Sequence, residues 1–209
     1  MKALEVFKFN IDRARTFLEI HKSFGERGRP PDWSGDLLRA GLIFAVSALD
    51  TYLHDKINQS ITPFIIKKRG KELPGALMEI FKGISHQKLL QIMFEERPKV
   101  HLSEAVKNHF SDKTLQDPIK IESALRVIGI DDLWFLLGKE LRLSKKKAKI
   151  FIQSHIVRRH QIAHEADLGT SRRHRHRLRR IARPEVDKAI DNIDKFVNSI
   201  DKIVENKLV

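Results

Sequence analysis

A regular spacing of apolar residues near the C-terminus constrains the fold more than any other feature of this chain. Aliphatic residues there are separated alternately by four and three positions: Val186, Ile190, Ile193, Val197, Ile200 and Val204. This spacing places one apolar stripe along a helix, and Pro184 is suited to the first turn of that helix. Such a stripe fits either packing within an antiparallel helical bundle or an interface between two copies of the chain.

Helical spacing also dominates the other long segments of the sequence. Residues 4–21 predict a first helix that ends before Gly25. A second helix, from about 36 to 60, is apolar on more than one side, and we therefore expect it at the centre of the fold. Ser144 is a suitable N-cap for a third long helix, which leads towards the C-terminal one.

The middle of the chain, from about 62 to 143, has a different pattern. Short helical patterns alternate there with prolines and glycines, so the sequence predicts several short helices inserted between two pairs of long ones. Ser103 and Asp131 are the predicted N-caps of two of them. No segment alternates in the way typical of a strand. The sequence therefore predicts an all-α fold in one domain, 1–209, with a helical insertion at about 62–143.

Composition and charge limit the classes of function. The chain carries a formal net charge of +13 and has a pI of about 10.0, which is typical of proteins that bind a polyanion. It has no cysteine, and this excludes disulfides, thiolate metal sites and cysteine nucleophiles. No stretch is apolar enough for a membrane helix, and the N-terminus is typical of an amphipathic helix, so we expect a cytoplasmic protein.

The residues best suited to chemistry lie at the end of the third long helix. His160 and His164 are four residues apart and share a helical face, and Arg159 directly precedes them. A fixed cation next to imidazoles that titrate near neutral pH suits chemistry on a phosphodiester. This pattern indicates a ribonuclease that needs no metal ion.

A strongly basic segment follows these residues. From Arg158 to Arg183 there are nine arginines, four histidines and only two acids. Guanidinium groups bind phosphate oxygens with two parallel hydrogen bonds, so we expect this segment to contact RNA rather than to be merely a solvated loop. The predicted RNA-binding residues are Arg158, Arg172, Arg173, Arg175, Arg177 and Arg179.

The spacing Arg159-x4-His164 resembles the Arg-x4-6-His signature of HEPN domains. The residues 44–53 in the second helix resemble the subgroup associated with ribonuclease LS-like and phage-stress systems, RiboL-PSP-HEPN. The resemblance implies a HEPN-like helical bundle and a homodimer in which two Arg/His pairs form one composite cleft. It also implies RNA cleavage without a metal or other cofactor, leaving a cyclic phosphate, and a role as a toxin or in antiviral defence. An antitoxin or a defence-system protein is then a further expected partner.

Each candidate residue has an expected role on this hypothesis. His164 is the general acid or base and Arg159 binds the scissile phosphate. His160 occupies a position where the family usually has asparagine, and it either orients the substrate or serves as a second acid or base. Asp50, on the central helix, is expected to orient Arg159.

Two alternatives remain on the sequence evidence. His160 and His164 have the spacing of two zinc ligands, but Gln161 stands where a zincin has its glutamate, and Ala163 precludes the inverted order. The chain would also have to draw a third ligand from its arginine-rich segment, which disfavours a metal site. The second alternative is a non-catalytic dimer that uses its basic surface to hold nucleic acid or an acidic antitoxin-like partner.

Overall fold

The computed structural model describes residues 2–25, 28, 31–68, 71–169 and 177–208. These residues contain four long helices: α1 (Ala3–Gly25), α2 (Gly35–Lys67), α8 (Lys145–His164) and α9 (Arg183–Leu208). Between α2 and α8 lie five short helices: α3 (Gly75–Lys82), α4 (His86–Phe94), α5 (Pro98–Phe110), α6 (Pro118–Arg126) and α7 (Leu133–Leu141). The predicted all-α bundle with a set of short helices in its middle is confirmed, while the limits of the insertion, about 62–143, stay a prediction.

Helix α2 lies at the centre of the bundle, as its apolar pattern predicts. It packs against α1, α5, α6, α8 and α9. Its side chains are buried on more than one side of the helix, among them Leu42, Leu49, Tyr52 and Ile57. The helices that carry the candidate site are therefore held by a common core helix.

The apolar stripe of α9 belongs to the core of the single chain. All six residues of the stripe, from Val186 to Val204, are at most 2% exposed. They pack against α1, α2, α7 and α8. Of the two uses that the spacing allowed, the stripe therefore serves bundle packing and not a dimer interface.

Helix α2 is longer than the sequence predicts. It continues beyond Ser60 to Lys67 although Pro63 lies inside it. An internal proline removes one backbone hydrogen bond and costs about 3 kcal/mol. The burial of Ile61, Phe64 and Ile65 offsets that cost, because ending the helix earlier would expose them.

Both N-caps predicted in the middle of the chain are wrong. Ser103 lies inside α5, where its buried hydroxyl donates to the carbonyl of Lys99 and accepts from Thr62. Helix α7 is capped by Asp132, which accepts a hydrogen bond from the third residue of that helix, and not by Asp131. None of the described helices is long and apolar enough to span a membrane.

Candidate active site

The site is organised by helix α8, which presents different side chains to different neighbours. Ser144 caps it as predicted, accepting a hydrogen bond of 3.3 Å from the backbone N–H of Lys147. Successive residues of a helix point roughly 100° apart. Arg158 and Arg159 therefore face different surroundings although they are adjacent in sequence.

Arg159, His160 and His164 line one cleft between α8 and α6, which we call the α6–α8 cleft. Its volume is about 570 Å³. The opposite wall is formed by residues that precede and begin α6, namely Thr114, Gln116, Asp117 and Lys120. The structure thus brings together three of the four predicted catalytic residues and adds a wall from the middle of the chain.

Arg159 is half-buried and has an unused hydrogen-bonding group. Its Nε atom is buried without a hydrogen-bond partner, and no carboxylate among the described residues pairs with its guanidinium. A buried donor that lacks a partner costs free energy. The arginine is therefore well suited to receive an anionic group that enters the cleft.

The two imidazoles lie side by side at the open part of the cleft. The centroids of the His160 and His164 rings are 4.7 Å apart and the ring planes are tilted by 38°. Both residues are exposed, and within the described part of the chain neither ring forms a hydrogen bond. No carboxylate among the residues that the structure describes orients them, and because both are exposed, the solvent or a ligand can reach both rings.

The acidic groups of the cleft are engaged with the protein itself. Asp117 accepts hydrogen bonds from the first-turn backbone N–H groups of α6, the shorter one of 2.8 Å. Glu165 forms an ion pair of 3.2 Å with Arg179. Lys120, like Arg159, has no ion-pair partner among the described residues. The positive charges of Arg159 and Lys120 are therefore the ones available to a ligand.

Asp50 does not have the contacts expected of a residue that orients Arg159. Its carboxylate accepts a hydrogen bond of 2.6 Å from the backbone N–H of Leu115 and lies 4.0 Å from Nε2 of His54. The sequence places Asp50 on the helix next to α8, but spacing alone does not fix which side of α2 faces α8. Its contacts support the Thr114–Gln116 wall of the α6–α8 cleft instead.

Arg158 faces away from the cleft and binds a buried carboxylate. Its two terminal nitrogens contact both oxygens of Asp167, with 3.0 Å between Nη2 and Oδ2. Arg39 of α2 donates to the same carboxylate through Nε at 2.6 Å. The Asp167 side chain is only 2% exposed. Arg158 thus holds the fold together in this structure, and its contact with RNA stays a prediction.

The base of the basic segment is fixed at the end of α8. Leu168 and Leu178 form an isolated antiparallel bridge, and the backbone N–H of Arg179 donates to the carbonyl of Asp167 at 2.7 Å. Nη2 of Arg39 in turn donates to the carbonyl of Arg179 at 2.8 Å. Residues 167–169 and 177–179 are therefore held together at the end of α8. Three of the predicted RNA-binding residues, Arg172, Arg173 and Arg175, lie outside the described residues, and Arg177 is exposed.

A family model for RiboL-PSP-HEPN matches residues 8–206, a range that begins in α1 and ends in α9. The chain belongs to the RiboL-PSP-HEPN family. The resemblance drawn from the sequence is thereby confirmed at the level of the family. No curated protein and no solved structure matches the chain. Membership in a HEPN family suggests a function that involves nucleic acid, which agrees with the basic character of the α6–α8 cleft.

Sequence reasoning missed two parts of this candidate site. Asp117 followed by Pro118 is a recognisable helix start, but nothing in the spacing shows that this start faces α8. The sequence marks Asp167 only as one of the two acids in the arginine-rich segment and does not indicate that it is buried between arginines. Among the described residues, no group of three histidine, aspartate or glutamate side chains lies close enough to hold a metal ion.

Proposed function

We propose that this HEPN protein is a metal-independent endoribonuclease with an active site completed by a second copy of the chain. The observation that supports it most is the position of Arg159. Among the described residues its buried Nε has no hydrogen-bond partner and its guanidinium has no carboxylate partner, and it lies in the same cleft as two exposed imidazoles. A cation that lacks a counter-ion in a cleft with titratable groups is suited to bind a phosphodiester.

The proposed reaction is an intramolecular transfer at phosphorus. A neutral imidazole removes the proton of the ribose 2′-hydroxyl, and the oxygen forms a bond to the adjacent phosphorus. The bond from phosphorus to the 5′-oxygen breaks, and an imidazolium protonates the leaving oxygen. The products are a 2′,3′-cyclic phosphate and a 5′-hydroxyl. Arg159 stabilises the negative charge that develops on the phosphoryl oxygens.

The arrangement of the histidines favours a composite site. The reaction needs an acid and a base on opposite sides of the phosphorus, whereas His160 and His164 lie on one helical face with their rings 4.7 Å apart. A two-fold related copy would bring a second pair to the other side.

The biological part of the proposal rests on the family. Cleavage of RNA in the cytoplasm would arrest growth, either as the action of a toxin held by an antitoxin or as a defence against viruses. An acidic antitoxin would bind the basic segment that joins α8 to α9, because it carries the densest positive charge in the sequence.

The decisive experiment measures cleavage of a fluorescent single-stranded RNA and identifies the cyclic phosphate by mass. We expect Arg159→Ala to lower kcat by about 10²–10³-fold, the effect of removing one group that stabilises transition-state charge. We expect His164→Ala to lower it by about 10²–10⁴-fold. His86→Ala is the matched control, since His86 is an exposed histidine on α4, and it should keep the parent rate.

Further measurements separate this function from its alternatives. Excess chelator should leave the rate unchanged, and specific activity should fall on dilution below the dissociation constant of the dimer. Parent-like cleavage by both Arg159→Ala and His164→Ala would show that the assignment is wrong. A parent protein that binds RNA and dimerises but does not cleave would be the non-catalytic binding module instead.

A further inference from the structure

A second cavity adjoins the α6–α8 cleft. Its volume is about 400 Å³, and Thr114 and Lys120 line both cavities. We call this cavity the α5–α6 subsite, and its main lining residues are Phe110, Lys113, Thr114, Ile119, Lys120 and Ser123. An RNA chain whose phosphate lies at Arg159 can thus continue past Lys120 into the subsite.

The lining of the α5–α6 subsite combines apolar surface with positive charge. Ile119, which is 64% exposed, and the buried Phe110 supply apolar surface to the cavity. Lys113 and Lys120 supply the charge, and Asp112 is the one carboxylate among the described lining residues. An apolar surface between two cations fits a nucleotide, with its base on the surface and its phosphate at the lysines.

The wall that separates the two cavities is held in place by the central helix. Asp50 of α2 accepts the backbone N–H of Leu115 at 2.6 Å. One turn further along α2, Nε2 of His54 lies 2.9 Å from the carbonyl oxygen of Lys113. Two side chains of the core helix therefore fix the main chain on both sides of Thr114. The shape of the subsite exists before a ligand binds.

Lys113 is oriented towards the cavity by its neighbours. Its ammonium group donates to Nε2 of His109 at 2.7 Å and lies 5.9 Å from the centroid of the Phe110 ring. Burial lowers the pKa of His109, and the charge of Lys113 lowers it further. The imidazole is then neutral and accepts the hydrogen bond, while two further N–H groups of Lys113 remain for a phosphate.

We infer that the α5–α6 subsite binds a nucleotide of a single-stranded RNA that lies one residue beyond the two flanking the scissile phosphate. The inference rests on the proposed ribonuclease function and gives the short helices a role in it. The middle of the chain would select for substrates that extend beyond the two nucleotides at the cleaved bond, because a dinucleotide has no further nucleotide to place in the subsite.

The test compares a dinucleotide with oligonucleotides extended by one to three residues on either side. For the parent, extension on one side should raise kcat/KM. Lys113→Gln, Lys120→Gln and the double variant should lose this gain. Lys107→Gln is the matched control, since Lys107 is an exposed lysine of α5 that does not line the subsite, and it should keep the gain.

A binding measurement separates failure of the subsite from failure of the function. Fluorescence anisotropy with an RNA that carries 2′-O-methyl groups requires no cleavage. The slope of log K against log salt concentration should decrease by about 0.7 for each lysine removed. If the parent cleaves and the double variant keeps the gain from extension, the subsite is wrong and the function stands. If the parent does not cleave, the proposed function fails, and equal salt slopes for parent and double variant would then also overturn the subsite.

Discussion

The Asp167→Asn substitution removes the negative charge between α8 and the base of the basic segment while keeping almost the same shape. In the parent, the Asp167 side chain is 2% exposed and contacts two guanidinium groups. The Arg39 and Arg158 side chains are 11% and 24% exposed. The substitution therefore leaves two cations that have only limited access to water.

The expected loss of stability follows from these exposures. Removing one partner of a buried ion pair costs about 3–5 kcal/mol. The lower end applies here, because Arg158 can still reach water and the asparagine oxygen can accept one hydrogen bond. For a chain of 209 residues, each kcal/mol lowers Tm by about 2–4 °C, so about 3 kcal/mol corresponds to about 6–12 °C.

Backbone conformation provides a second comparison at the same position. Asp167 has a φ of 54°, in the left-handed region that aspartate and asparagine tolerate better than alanine. Asp167→Ala should therefore be less stable than Asp167→Asn, by about 1 kcal/mol. Thermal unfolding followed by circular dichroism measures both variants, and Asp187→Asn on the exposed face of α9 is the matched control.

The ion-pair reasoning can be refuted by either of two results. A Tm for Asp167→Asn within 2 °C of the control would mean that the buried carboxylate contributes little to stability. Additive losses in Asp167→Asn, Arg158→Met and their double variant would mean that the two groups do not interact, since a direct contact requires a coupling energy.

Two further predictions concern close packing and pH. Gly138→Ala should lower Tm by several degrees, because a Cβ there would lie 2.7 Å from the carbonyl oxygen of Leu143. Gly75→Ala, the control, meets no atom within 4 Å and should leave Tm unchanged or raise it. Equal Tm values for the two variants would contradict this prediction. Burial, and then the charge of Lys188, lower the pKa of His155. Below about pH 6.5 the unfolded chain therefore binds more protons than the folded one, so the stability falls as the pH is lowered. Between pH 7.5 and 5.5, the Tm of His155→Gln should therefore fall by less than the Tm of the parent. An equal fall in both proteins would refute the assignment of this pH dependence to His155.

The long helices could be predicted from the sequence because their pattern is local. Apolar spacing depends only on the helical repeat, and it located the N-terminal ends of α1 and α9 to within one residue. The end of α2 could not be predicted in this way. Pro63 is a local signal to stop, and the burial that overrides it depends on α5 and other helices distant in sequence.

The candidate site could be predicted only on the α8 side. Arg159, His160 and His164 are close in sequence, so helical geometry alone brings them to one cleft. The facing wall comes from residues more than 35 positions earlier, such as Lys120, and its place depends on how α6 packs against α8. Asp50 illustrates the same limit, since its helix was correctly predicted but the direction of its side chain was not.

The adjacent pair Arg158 and Arg159 shows what the structure adds to the motif. Both residues precede the histidines closely enough to serve as the phosphate-binding cation, and the spacing to His164 favours Arg159 only through the family signature. The contacts give an independent reason. Arg158 is already neutralised by the buried Asp167, whereas the buried Nε of Arg159 has no hydrogen-bond partner within the described part of the chain. A phosphate gains more from the second arginine, because binding there satisfies a buried donor and does not compete with an existing ion pair.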